Sequence, residues 1–320
     1  MTSLDQPYLN QLKDVDVQPI FILGDHRSGT TLLYQTLASS QCFNVVKAYH
    51  VIKYDEILHN YHNKLEPEKL QALEIEFEQL GICDREFDTV PVSPNLPEEY
   101  GFILRNTIDK LYISDESLSK FLEICRKVQS IASPEKSLLL KNPWCYPNFL
   151  YIHQAIPNAR FIFIHRNPIN VINSKLKLID QVLSGWNAYT GLVSRKYNKI
   201  FKNPIFRLMY RLMYFPHFNI GLNKVLKQAF EATSYFIDNI SNLPESTYIS
   251  IRFEDLCEQP EITLKQIFDF LQITPVVPIN HKSLIQKRAT TLIPTVAQNQ
   301  QRIAKRLAAY FELHNYPYPR

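Results

Sequence analysis

The chain has 320 residues and a mass of 37.5 kDa; it is 45% hydrophobic and 21% charged, with only 7 glycines. Ordinary usage would give about 22 glycines, so collagen-like, glycine-linker and low-complexity chains are excluded, and the length suffices for one large domain with a real core. The formal charge of +4 is too mild to indicate a nucleic-acid partner.

The five cysteines, Cys42, Cys83, Cys125, Cys145 and Cys257, form no C-x-x-C pair. This argues against a disulfide framework or a zinc site and for a reducing compartment. The start, MTSLDQPYLNQLKDVDVQ, is polar and lacks an apolar signal core. No run approaches the roughly 18 apolar residues of a membrane span. The expectation is a soluble, cytoplasmic protein.

In chain order, Pro19 to Leu23 (PIFIL) reads as a buried strand that halts at Gly24. Thr31 to Gln41, with Leu33 and Leu37 at helical spacing, follows as a helix. Further strands are predicted at Ser137 to Leu140, Arg160 to His165 and Ser246 to Ile251. Helices are predicted over 115–131, 147–156, 168–182, 221–240, 260–271 and 298–313, with Pro168 suited to a helix start. Strands alternating with helices predict an α/β fold with a mostly parallel central sheet. Ligands of such sheets bind at the carboxyl ends of strands. Here those ends carry the Gly24–Gly29 loop, Lys141 and Arg166, which together suggest an anion site.

Two long connections differ in charge. Residues 51–100 hold 12 acids against 4 Lys/Arg, whereas residues 181–230 hold 8 Lys/Arg and no acid. The expected organisation is one domain over 1–320, with an acidic, mostly helical insertion at 51–136 and a basic, aromatic helical cap at 181–245.

The segment Gly24-Asp25-His26-Arg27-Ser28-Gly29-Thr30-Thr31 lies between a strand and a helix. Such a loop offers backbone N–H groups and the positive end of the helix dipole to an anion. Ser28, Thr30 and Thr31 add hydroxyls, and Arg27 adds a forked charge. The glycine spacing matches the phosphate loop G-x-x-x-x-G-K-[ST], but Thr30 stands at the lysine position. A nucleoside-triphosphate phosphotransferase would lack its β/γ-phosphate cation.

With these residues in view, IFILGDHRSGTTLL resembles the 5′-phosphosulfate loop of sulfotransferases that use 3′-phosphoadenosine-5′-phosphosulfate (PAPS). It is closest to the tyrosylprotein-type and bacterial members reading R-S-G-T-T-L. The likeness continues in LLLKNPW, RFIFIHRNPINVINS, IRFEDLCEQPEITLKQIFDFL and the closing NYPYP. His26 departs from the proline or small residue usual before the loop arginine. The resemblance implies a P-loop-like three-layer fold, with helices flanking the sheet and helical insertions. It implies PAPS as sulfuryl donor, with no metal required, and in-line transfer to a hydroxyl. It implies Arg27, Ser28, Gly29, Thr30 and Thr31 on the phosphosulfate and Arg166 with Ser174, eight residues on, at the 3′-phosphate. Lys141 would stabilise the leaving oxygen. A basic loop over the nucleotide matches Lys287, Arg288 and Thr290.

In the resembling proteins a general base lies about 20 residues after the loop arginine. His50, 23 residues on, is the base type there whose intrinsic pKa suits the task; Glu56, beside Asp55, is the alternative. The acceptor could be a small-molecule, carbohydrate, lipid or peptide hydroxyl. The basic stretch could hold an anionic or lipid-like acceptor through Arg207 and Arg211 beside Phe206, Tyr210, Tyr214 and Phe215. It could equally dock on a membrane surface, or pack against the acidic connection and neutralise it. The competing classes are a P-loop phosphotransferase and a non-catalytic nucleotide-binding or membrane-surface adaptor.

Overall fold

The computed structural model describes residues 3–85, 90–213, 219–285 and 290–319. Five strands form one sheet: β1 (Pro19–Leu23), β2 (Asn44–Val45), β3 (Leu138–Lys141), β4 (Arg160–His165) and β5 (Tyr248–Arg252). Their spatial order is β2-β3-β1-β4-β5, and every pairing is parallel. The four strands expected from the sequence are all present. β2 was not foreseen, because two residues at a sheet edge carry no apolar run.

The sheet is buried on both faces, as parallel sheets are. Side chains alternate with period two. Phe21, Leu138, Leu140, Phe161 and Phe163 therefore join one core, while Ile20, Ile22, Leu139, Ile162 and Ile164 join the other. The first core is filled by helices Asp115–Ser130, Pro168–Ser184 and Ile220–Asn239. The second is covered by Thr30–Ala38 and Pro260–Leu271. This is the expected three-layer arrangement.

The helices near the C-terminus differ from the single expected 298–313 segment. Three short helices stand there, Pro294–Gln298, Gln300–Arg306 and Ala308–Leu313. The joints fall at Asn299 and Leu307, whose backbone leaves the helical basin. Within the acidic connection, Ile57–His62, Glu66–Gln79 and Gly101–Ile108 are helical. Within the basic one, Ala188–Val193, Arg195–Phe201 and Pro204–Met213 are helical.

The two connections do touch: Tyr189 donates its hydroxyl to Glu98, and the Asn187 amide donates to the Arg85 carbonyl oxygen at 3.2 Å. The charge of buried Glu98, however, is met by Arg85 of its own segment, at 2.9 Å. Lys196 pairs with Asp109, at 3.1 Å, outside the strongly acidic run.

The N-terminal segment is locked to the helical layer by a buried ion pair between Asp5 and Lys127 (2.8 Å). Lys127 also reaches Glu123 at 3.4 Å, so removing Asp5 takes away the shorter of two ion pairs made by a buried charge. Asp5→Ala should lower folding stability by about 1–3 kcal/mol, read as a reduced urea midpoint.

Candidate functional site

Strand order reverses at β1, and the carboxyl ends of β1, β3 and β4 converge on the Gly24–Gly29 loop. The loop's path is set by space. A Cβ at Gly24 would collide with the Ile164 carbonyl oxygen and the Ser28 hydroxyl, and one at Gly29 with the Phe253 ring. Gly29 also has φ +101°, where L side chains are strained, and it caps helix Thr30–Ala38. Arg27 adopts φ 73°, a left-handed conformation that costs a non-glycine residue about 1 kcal/mol.

That conformation brings two expected subsites into contact. Arg27 Nε donates to Ser174 Oγ at 3.0 Å, and Arg166 donates to the Arg27 carbonyl oxygen at 3.0 Å. Arg166 lies 4.4 Å over the Phe253 ring, beside the loop glycine. Arg27, Ser174, Lys177, Leu178, Asp180 and Gln181 line an open cleft of about 300 Å³. Within the loop, Asp25 accepts from Lys175 at 2.6 Å, which anchors the loop to helix Pro168–Ser184. Lys175 and Asp25 carried no motif signal.

Lys141 ends β3 fully buried. Its Nζ donates to Thr31 Oγ1 at 2.8 Å and forms an ion pair with Glu99. Burial depresses the Lys141 pKa, and the Glu99 carboxylate opposes that shift. Glu99 reaches this place because its segment runs antiparallel beside the chain after β2. The Glu98 N–H donates to the Val46 carbonyl at 2.7 Å, and Lys47 bridges Pro97. The Gly101 Cα then packs against the Asn142 side chain, where any larger residue would clash. Glu99 was missed in the sequence because it lies 72 residues beyond Arg27, inside a charge run that reads as a solvated face.

His50 lies in helix Ala48–Ile52 and is buried. Its Nδ1 accepts the Lys47 N–H at 3.1 Å, so the neutral ring carries its proton on Nε2. Burial, reinforced by Lys47, lowers its pKa to about 3. Glu56 pairs instead with Lys53 at 3.3 Å. His165 is turned into the core, sharing a 2.7 Å hydrogen bond with Tyr310 and stacking on His314 at 3.9 Å. His26 packs edge-on against Trp144 at 4.2 Å, and burial, with Lys175 adding to it, lowers its pKa to about 3. Lys287 and Arg288 lie outside the described residues, as do Tyr214 and Phe215.

Three polar atoms at the loop are buried without a hydrogen-bond partner among the described residues: His26 Nε2, Ser28 Oγ and Arg166 Nε. Such groups are costly unless a ligand or water meets them. Together with a glycine-lined helix N-terminus, they form a site suited to phosphate or sulfate oxygens. Among the described residues, no group of three or more His, Cys, Asp or Glu is gathered so as to hold a metal ion. No described helix is long and apolar enough to cross a membrane.

Gly29→Ala should disrupt the helix cap and weaken anion binding at the loop by about 5- to 150-fold, given roughly 1–3 kcal/mol of strain; equilibrium dialysis with a radiolabelled nucleotide reads this. His26 and His50 are neutral when folded, with pKa values of about 3, whereas unfolded imidazoles titrate near 6.5. The unfolded chain therefore binds more protons below pH 6.5, and stability that is complete above that pH is lost as pH falls toward 3. His50→Asn keeps an acceptor for the Lys47 N–H and removes one titrating group. It should flatten that acid limb by up to about 1.4 kcal/mol per pH unit, measured by urea unfolding at stepped pH.

A model described as "Sulfotransferase family" matches residues 19–276 of the chain. No curated protein is a detectable sequence relative. Among solved structures, sulfotransferase STF9 from Mycobacterium avium is similar, with a TM-score of 0.66 and 15% identity, covering 99% of this chain and 81% of that one. Sulfotransferase STF1 from Mycobacterium tuberculosis H37Rv is similar too, with a TM-score of 0.61 and 15% identity over 96% of this chain and 80% of that one. At such identity these likenesses bear on the fold, which agrees with the strand order and the loop at β1. The family match spans β1 with its loop, Lys141, and the Arg166 and Ser174 pair, and the chain belongs to the sulfotransferase family.

Proposed function

We propose that the chain is a single-domain sulfotransferase that moves the sulfuryl group of PAPS to an acceptor hydroxyl by in-line displacement. The observation that carries this reading is the contact of Arg27 with both Ser174 and Arg166, with Thr30 where a triphosphate enzyme keeps lysine. One arginine thereby links the phosphosulfate loop to the 3′-phosphate pair, and a donor with phosphate at both ends fits that spacing.

In this reading, the N–H groups of Ser28 to Thr31 and the hydroxyls of Ser28, Thr30 and Thr31 hold the 5′-phosphosulfate. Arg27 adds its charge, and Arg166 and Ser174 hold the 3′-phosphate. Arg288 would close over the nucleotide. Lys141, which donates to Thr31 of the loop, would neutralise charge on the bridging oxygen as the sulfur–oxygen bond breaks. The new bond joins that sulfur to the acceptor oxygen, whose proton passes to a base.

His50 and Glu99 are the two candidates for that base. His50 uses Nδ1 to accept a backbone N–H and carries its proton on Nε2, so it must break a 3.1 Å hydrogen bond to act. Glu99 has a carboxylate already beside Lys141 and Thr31, so the geometry favours Glu99. A proton taken up there would free Lys141 from its partner as the leaving oxygen gains charge.

Adenosine 3′,5′-bisphosphate should raise the melting temperature by several degrees, and ATP with Mg²⁺ should not; the reverse result would exclude this donor. With labelled PAPS and an acceptor panel, Glu99→Gln should reduce kcat by about 10²–10⁴, whereas His50→Asn should retain most activity. The opposite ordering would return the base to His50. Arg166→Ala should raise the KM for PAPS at least tenfold, since it removes a charged hydrogen bond worth roughly 1.5–3 kcal/mol.

A further inference from the structure

Helix Pro204–Met213 is built the wrong way round for a globular protein. At 100° per residue, Ile205, Leu208, Met209 and Leu212 fall within an arc of about 100°, the width of an ordinary core-facing stripe. All four face solvent instead, at 76%, 59%, 47% and 60% exposure. Arg207, on the opposite side, turns toward the protein and lies 5.0 Å over the Phe201 ring. The helix packs through that side on helices Arg195–Phe201 and Pro168–Ser184. Its apolar row therefore has no cover among the described residues of the chain.

The surroundings indicate what the cover is. Lys199, Lys202 and Arg211 are exposed beside the row, and no acidic residue occurs anywhere in 181–230 against eight Lys/Arg. An apolar row on a basic stretch of chain that contains no acid matches an anionic bilayer surface, where acyl chains take the leucines and headgroup phosphates take the cations. A second copy of the same chain would instead bring the exposed Lys199, Lys202 and Arg211 against their own counterparts. A soluble apolar partner would gain nothing from the exclusion of acids.

We propose that the 204–213 helix docks the protein on anionic lipid bilayers, lying in the interface with Ile205, Leu208, Met209 and Leu212 inserted. The docking helix packs directly on helix Pro168–Ser184, which carries Ser174. The inference does not depend on the identity of the sulfuryl donor.

The test is co-sedimentation of the full chain with vesicles of phosphatidylcholine alone and of phosphatidylcholine with phosphatidylglycerol in equal parts, at low and high salt. Partitioning should occur on the phosphatidylglycerol vesicles and weaken at high salt. The double variant Leu208→Glu, Leu212→Glu should lose it by roughly tenfold or more. Because both side chains point outward, this variant should melt like the wild type in circular dichroism, and Lys202→Glu with Arg211→Glu should weaken binding without touching the apolar row. No partitioning of the wild type, or equal partitioning of wild type and the leucine variant, would overturn the proposal. So would a dimer in sedimentation velocity that the leucine substitutions dissolve, since the row would then be a self-interface. A changed KM for a soluble acceptor without any vesicle binding would also overturn it, making the row a wall of the acceptor site.

Discussion

A single steric constraint organises this molecule: backbone must pass between β1 and the following helix with no room for side-chain carbon at either glycine of the loop. The Ile164 carbonyl presses on Gly24 from β4, and the Phe253 ring presses on Gly29 from beyond β5. The loop is therefore clamped by the two strands that follow it in the sheet order. That clamp turns the Arg27 backbone into its left-handed conformation and aims the guanidinium across to Ser174. The helix dipole, the orphaned polar atoms of the loop and the arginine pair all depend on this path. Strain at one residue is tolerated because the neighbours over-determine it.

The second organising element is electrostatic. Lys141 is buried at the end of a core strand, where an ammonium group is expensive. Its charge is stabilised by Glu99 and the Thr31 hydroxyl, one from an inserted segment and one from the loop. The acidic connection thus has a role other than neutralising the basic one. It delivers a carboxylate to the loop, while its other buried acid, Glu98, is satisfied by Arg85 and Tyr189. The basic connection keeps Lys199, Lys202 and Arg211 exposed, and the exposed apolar row of the 204–213 helix belongs to the same stretch.

Much of the site was legible in residues 19–31 and 138–174, since loop, lysine, arginine and serine all sit at strand ends or one to two helical turns beyond them. Chain-local geometry fixes such positions. Glu99 was not legible, because its relation to Lys141 runs through a bridge from Lys47 to Pro97 and the close approach of Gly101 to Asn142. His50 looked suitable by spacing and residue type, yet its ring nitrogen is engaged by its own helix start. Spacing along a chain does not say which nitrogen carries the proton.

The sequence by itself determined the parallel α/β sheet, the anion-binding loop and the absence of a triphosphate lysine. Apolar runs, glycine placement and the identity of residue 30 are local properties that no distant contact alters. Only the tertiary structure decided that Arg27 meets both Ser174 and Arg166, that a carboxylate from a remote insertion meets Lys141, and that the amphipathic 204–213 helix turns its apolar side outward. Each of these depends on which surfaces meet after the chain has folded, and periodicity marks a face without saying what lies opposite it.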